Sequence, residues 1–202
     1  MLIRKLSTST SMTKQLMTRQ PILNLLASYT ASNESELAGV HRTTEFIQSH
    51  PDCFERTLLT GHVTGSAWIV NEGFTHVLLI HHFKLNRWLQ PGGHCDGDGD
   101  VLNVALKEAG EETGLTVKPV SDRIFDVDIH QIPQRGDVPA HLHYDIRFLF
   151  TADMGQSLIL NQQETRDIKW VLIREVSILN DSEGVMRMVL KTLMLALGLA
   201  LL

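Results

Sequence analysis

Polar and apolar positions alternate along two stretches of this chain. Asp126, Asp128 and His130 alternate with Val127 and Ile129, and His141, His143, Asp145 and Arg147 alternate with Leu142, Tyr144, Ile146 and Phe148. A period of two predicts strands with one polar face. The intervening IPQRGDVPA holds Gly136 and two prolines, which predicts a loop joining antiparallel neighbours. Paired in that way, Asp126, Asp128 and His130 share a face with His141, His143 and Asp145.

Elsewhere the period is helical. Ile22 to Tyr29 reads as one helix, and Asn33 with Glu36 makes a capping pair ahead of Leu37, Val40, Thr44 and Ile47, with Pro51 marking the end. Leu102, Leu106, Ala109 and Thr113 recur at intervals of four, three and four, a stripe suited to burial. Gly114 then stands where a helix stop belongs, before the β-branched Thr116 and Val117 that predict a strand. Asp181 or Ser182 caps a last helix ending in TLMLALGLALL. That run spans only ~17 Å at 1.5 Å per residue, against a bilayer core of ~30 Å, and Arg187 and Lys191 stop it extending backward. Packing in the core or across a homodimer is therefore expected, and no membrane span.

Glu108, Glu111 and Glu112 stand at i, i+3 and i+4, neighbours on a helix surface, on the side away from the Leu102 to Thr113 stripe. Like charges so placed repel, and a hard cation with oxygen ligands, Mg²⁺ or Mn²⁺, turns repulsion into shared attraction. A solvated face of a surface helix suits the same spacing.

The stretch from Gly93 to Leu115, GHCDGDGDVLNVALKEAGEETGL, resembles the box of the Nudix family, G-x5-E-x7-R-E-U-x-E-E-x-G-U with U aliphatic. Gly99 replaces the family Glu and Lys107 the family Arg; Ala109 is a small residue at an aliphatic position. An initial strand, a second strand HVLLIHH and the run Trp88 to Gly93 add to the likeness, as does Glu164 six residues before Trp170, so that it covers Gly61 to Glu175. The resemblance implies an α/β/α sandwich with a mixed, curved sheet, and metal-dependent hydrolysis of a diphosphate linked to another moiety, usually a nucleoside. It implies Glu108, Glu111 and Glu112 as metal ligands or the base that activates water, with the Gly92 carbonyl and Glu164 as further ligands. Gly99 removes a carboxylate outright, and Asp98 or Asp100 is the candidate substitute. A Nudix-fold binding or regulatory protein with little turnover is the alternative that this departure raises. An EF-hand reading of the aspartates fails on residue order.

The His/Asp strands admit three readings: hydrogen-bonded pairs on a sheet face, a substrate-recognition surface using His130, His141, His143 and Asp145, or a second metal site, since His-x-His can ligate zinc. A hydrolase centred on these strands is the weakest functional reading. His81, His82 and Lys84 could approach ligand phosphates, or form a solvated strand end.

Composition sets the frame. A chain of 202 residues with 43% hydrophobic content can bury one sizeable core. A net charge of −5 without a basic, aromatic-rich stripe argues against nucleic acid polymers and leaves a small phosphorylated substrate compatible. Cys53 and Cys95 lack C-x-x-C spacing, so reduced thiols and a cytoplasmic setting are expected. The first 33 residues hold Arg4, Lys5, Lys14 and Arg19 and no acid, so they carry +4 against −9 for the rest. That composition resembles a mitochondrial presequence; a disordered tail, or a start at Met12 or Met17, fits it as well. The expected organisation is a tail over 1–20, a helical extension over 21–60, and a Nudix-like domain with its C-terminal helix over 61–202.

Overall fold

The computed structural model describes residues 18–83, 85–161 and 165–199. Most of the predicted tail, together with Lys84 and Glu164, lies outside them.

The leader folds into two helices, α1 (18–28) and α2 (Glu34–Ser49). Residues 18–20, grouped by sequence with the tail, belong to α1, where Arg19 is buried and donates to the Ile47 and Gln48 carbonyls. The Asn33 cap is as predicted, its side chain accepting the Glu36 amide at 2.8 Å. The buried face of α2 runs through Val40, Thr43, Phe46 and Ile47, whereas Leu37 is exposed.

Eight strands form one mixed sheet: β1 (Gly61–Asn71), β2 (His76–His82), β3 (Arg87–Leu89), β4 (Gly92–His94), β5 (Lys118–Pro119), β6 (Asp126–Ile132), β7 (His141–Ala152) and β8 (Thr165–Leu172). β1 runs parallel to β7 from Gly61↔Leu142 to Asn71↔Ala152. Its other edge is shared, pairing β4 along the first half and β2 only at Val70↔Val77. β2 turns away to pair β3 and β8, and this division curls the sheet. β6 pairs β7 antiparallel, with Asp128↔Asp145 and His130↔His143 in register, as the alternation predicted. The strand expected at Thr116 begins instead at Lys118.

Helices cover both faces. Val63, Ala67, Ile69, Tyr144, Ile146 and Phe148 pack against α1, α2 and α3 (Val101–Thr113) on one side. Trp68, Val70, Leu79 and Leu149 pack on the other side with α4 (Val176–Leu179) and α5 (Glu183–Ala196). Each such side chain taken from water contributes about 1.5–3 kcal/mol. Ser182 caps α5 by position but without a side-chain bond, and much of the apolar C-terminal run is surface, with Leu193 and Leu197 exposed. No helix among the described residues is long and apolar enough to cross a membrane.

Arg187 and Lys191, rather than facing water, enter a buried ion network. Lys191 donates to Glu36, Asp126 (2.8 Å) and the Tyr29 hydroxyl (2.7 Å); Arg187 holds Asp126 at 2.7 Å; Arg147 bridges Asp126, Asp128 and Asp145. Leader, sheet and α5 are thereby tied in one core. Removing one member of such a network costs about 3–5 kcal/mol, because it strands a buried charge.

Candidate active site

Asp100 caps α3, accepting the Asn103 amide at 3.1 Å, and Gly114 ends it at φ 73°. The helix seats on β1 through Gly65, where a Cβ would lie 2.8 Å from the Val101 carbonyl oxygen. Val101, Val104, Ala105, Ala109 and Thr113 face inward; of the predicted stripe, Ala109 and Thr113 are buried and Leu102 half-buried, while Leu106 is exposed. The three glutamates, which sequence spacing had placed together, differ in exposure. At about 100° per residue Glu111 and Glu112 diverge widely: Glu112 is buried, Glu108 half-buried, and Glu111 exposed beside Lys107 at 3.7 Å.

Two of the three meet the Gly92-Gly93 start of β4. The Gly92 amide donates to Glu112 Oε2 at 2.9 Å, and the Glu108 carboxylate lies so close to Gly93 that a Cβ there would sit 2.4–2.7 Å from its atoms. Gly92 is equally confined, since its Cβ would fall 2.2 Å from Ser66 Oγ. Ser66 in turn donates to Asp145 at 2.7 Å. Both glycines are thus required by close approach. The donor set fits a hard cation: carboxylate oxygens beside a backbone segment stripped of side chains.

Gly99 is filled from the other side. A Cβ at this position would lie 2.2 Å from the Thr18 carbonyl oxygen, so α1 occupies the space into which a longer side chain would start. Asp98 uses Oδ1 on the Asp100 amide and Asp100 uses Oδ1 on the Asn103 amide. Each candidate substitute therefore has one oxygen committed to local turn structure.

The polar face of β6 and β7 divides in two. At its centre Asp145 is 2% exposed, with Oδ1 accepting from Thr64 and Ser66 and Oδ2 from Arg147 and, at 3.4 Å, Gln90. Assigned by sequence to substrate recognition, it has both oxygens engaged by neighbouring side chains here. At the end of the face, five imidazoles gather: His62, His94, His130, His141 and His143, with neighbouring ring centroids 4.8–5.5 Å apart. Burial holds His62 below its usual value, His94 at about 4 and His143 at about 2, so all three are neutral near pH 7. His62 and His94 escaped the sequence reading, since the β1–β7 and β1–β4 pairings that bring them to His143 leave no local signature. His81 stands apart, stacked on Trp88 at 5.1 Å. Cys53 and Cys95 are buried free thiols; burial pushes Cys53 up to about 12 and raises Cys95 too, which disfavours thiolate chemistry.

The profile of the NUDIX domain matches residues 61–192, extending the likeness to α5. The chain belongs to the Nudix family. Among solved structures, a Caenorhabditis elegans Ap4A hydrolase in a binary complex is similar to this Nudix chain, with a TM-score of 0.55 and 17% identity, over 67% of this chain and 98% of that one. A Clostridium perfringens hydrolase of the NUDIX family matches with a TM-score of 0.46 and 23% identity, over 68% and 97%. A UDP-X diphosphatase matches with 0.48 and 14%, over 90% of this chain and 94% of that one. No curated protein matches the sequence. The Nudix fold, a mixed curled sheet with helices on both sides, is as the box resemblance implied.

Proposed function

We propose that this Nudix protein hydrolyses a diphosphate linkage in a small nucleotide, or in a nucleoside diphosphate joined to another moiety, with Mg²⁺ or Mn²⁺. The supporting observation is the meeting of Glu108 and Glu112 with the Gly92-Gly93 start of β4. Glu108, Glu112 and the Gly92 carbonyl would hold the ion, with Glu111 and Glu164 as outer candidates. When bound, such a cation neutralises phosphate oxygens and lowers the pKa of a bound water. The Gly92 amide fixes one Glu112 oxygen, and so the direction of the carboxylate. Glu108 lies against the bare backbone of Gly93, where any side chain would displace it. A carboxylate acting as base on the attacking water contributes ~10²–10⁴-fold.

The test is a panel of nucleoside triphosphates, dinucleotides, nucleotide sugars and coenzyme-linked diphosphates, assayed with Mg²⁺ and with Mn²⁺. Turnover of at least one, lost in Glu112→Gln, supports hydrolysis. The filled space at Gly99 favours a second reading, a ligand-binding or regulatory protein lacking the box acid. That reading expects thermal stabilisation by a diphosphate compound without product, and ordinary turnover excludes it.

A further inference from the structure

The geometry points to a transition-metal site formed by His62, His94 and His143, separate from the carboxylates of α3, that takes Zn²⁺ or a similar borderline ion. The three ligands come from β1, β4 and β7, and one ring nitrogen from each lies within 4.8 Å of the other two. Among the described residues this is the group of three or more histidine, cysteine or carboxylate side chains that gathers closely enough for one ion.

Two of the three histidines also carry an unpartnered ring nitrogen. Nε2 of His62 and Nε2 of His143 are buried with no hydrogen-bond partner among the described residues. Buried polar atoms are normally satisfied, and two orphans in one cluster call for a partner that the described residues do not provide. A ring N–H can satisfy one neighbouring nitrogen at a time, whereas one cation accepts all three lone pairs at once. His62 already has the arrangement common to metal-bound histidines: its Nδ1 faces the Leu58 carbonyl oxygen at 3.5 Å, which leaves Nε2 as the unprotonated nitrogen.

Ligand chemistry selects the ion. Three imidazoles suit Zn²⁺, Co²⁺ or Ni²⁺, while Mg²⁺ and Mn²⁺ prefer oxygen. Tetrahedral zinc with Zn–N of ~2.0–2.1 Å places its ligand nitrogens about 3.3 Å apart, a closure within the range of imidazole rotation. Three protein ligands leave a fourth position for water or a substrate oxygen. His141, 5.0 Å from His62 and 5.2 Å from His143, and His130, 5.5 Å from His143, flank the cluster. The site adjoins the carboxylates through the backbone: Gly93 meets Glu108, while the next residue, His94, joins the imidazoles, so an ion here would fix β4 against β1 and β7.

The experiment uses the full chain, stripped by chelator and then given Zn²⁺ or Co²⁺ with Mg²⁺ in large excess. One equivalent of Zn²⁺ is expected to remain after dialysis, with imidazole scattering in its X-ray absorption spectrum and visible bands of low-symmetry Co²⁺ in the cobalt form. Affinity should fall roughly tenfold or more in His94→Gln, since losing even a supporting contact of a ligand costs that much. A Glu108→Gln, Glu112→Gln double variant should bind as the parent does, which separates this site from the proposed hydrolytic one. Folded parent protein that retains no Zn²⁺ overturns the proposal, as does oxygen-only scattering, or binding that survives His94→Gln but not the double glutamate change. Should His94→Gln fail to fold by circular dichroism, the parent's stoichiometry and scattering decide alone.

Discussion

Gly99 lies beneath the carbonyl of Thr18, with 2.2 Å between that oxygen and the point where a Cβ would stand. The leader helix thus fills the space beside Gly99. Gly99→Ala should therefore destabilise the protein by about 1–3 kcal/mol through overpacking against backbone. Chemical denaturation measures this, and an unchanged midpoint would show that α1 does not seat on the box loop.

Gly93→Ala is expected to act on the site more than on stability. Its Cβ would fall 2.4 Å from the carboxyl carbon of Glu108, a side chain that can swing away. The displaced carboxylate should raise the Mg²⁺ or Mn²⁺ concentration for half-maximal turnover by roughly tenfold, about 1.4 kcal/mol. Metal titration of initial rates reads the shift, and an unaltered metal requirement would remove Glu108 from the proposed ligand set.

Glutamates 111 and 112 should differ, although they are adjacent. Glu112→Gln keeps an acceptor for the Gly92 amide while removing the charge, so the fold should persist and turnover should fall by ~10²–10⁴-fold. Glu111 is exposed beside Lys107, and Glu111→Gln should cost clearly less. Equal losses of kcat in the two variants would mean that α3 presents both carboxylates during the reaction.

Acid sensitivity should arise from the leader. Burial disfavours the charged form of Glu36, but bonds from Lys191, Tyr29 and Ser32 outweigh it and hold the carboxyl at about 2, below its ordinary 4.5. A carboxyl depressed in the folded state binds fewer protons there than in the unfolded chain. Its stabilising contribution is full above pH 4.5 and is lost as pH falls towards 2. Urea midpoints between pH 6 and pH 2.5 should fall less steeply in Glu36→Gln than in the parent, and parallel curves would refute the assignment. Asp126 opposes this trend, because burial raises its pKa.

Strand periods, caps and the glycine at 114 were legible because they depend on neighbours in sequence: β6 and β7, the Asn33 cap and the end of α3 stand where local pattern put them. The box carried the family for the same reason, its spacing being a property of one loop and one helix. What the chain order could not reveal was everything fixed by contacts across the sheet. The seating of α3 on Gly65 decides that Glu112 is buried and Glu111 exposed; the β1–β7 and β1–β4 registers carry His62 and His94 to His143; α5 turns Arg187 and Lys191 into core ion pairs rather than surface charges. Local sequence determines backbone preference within a few residues, whereas the partner of a side chain depends on which distant segment packs against it, and only the folded chain decides that.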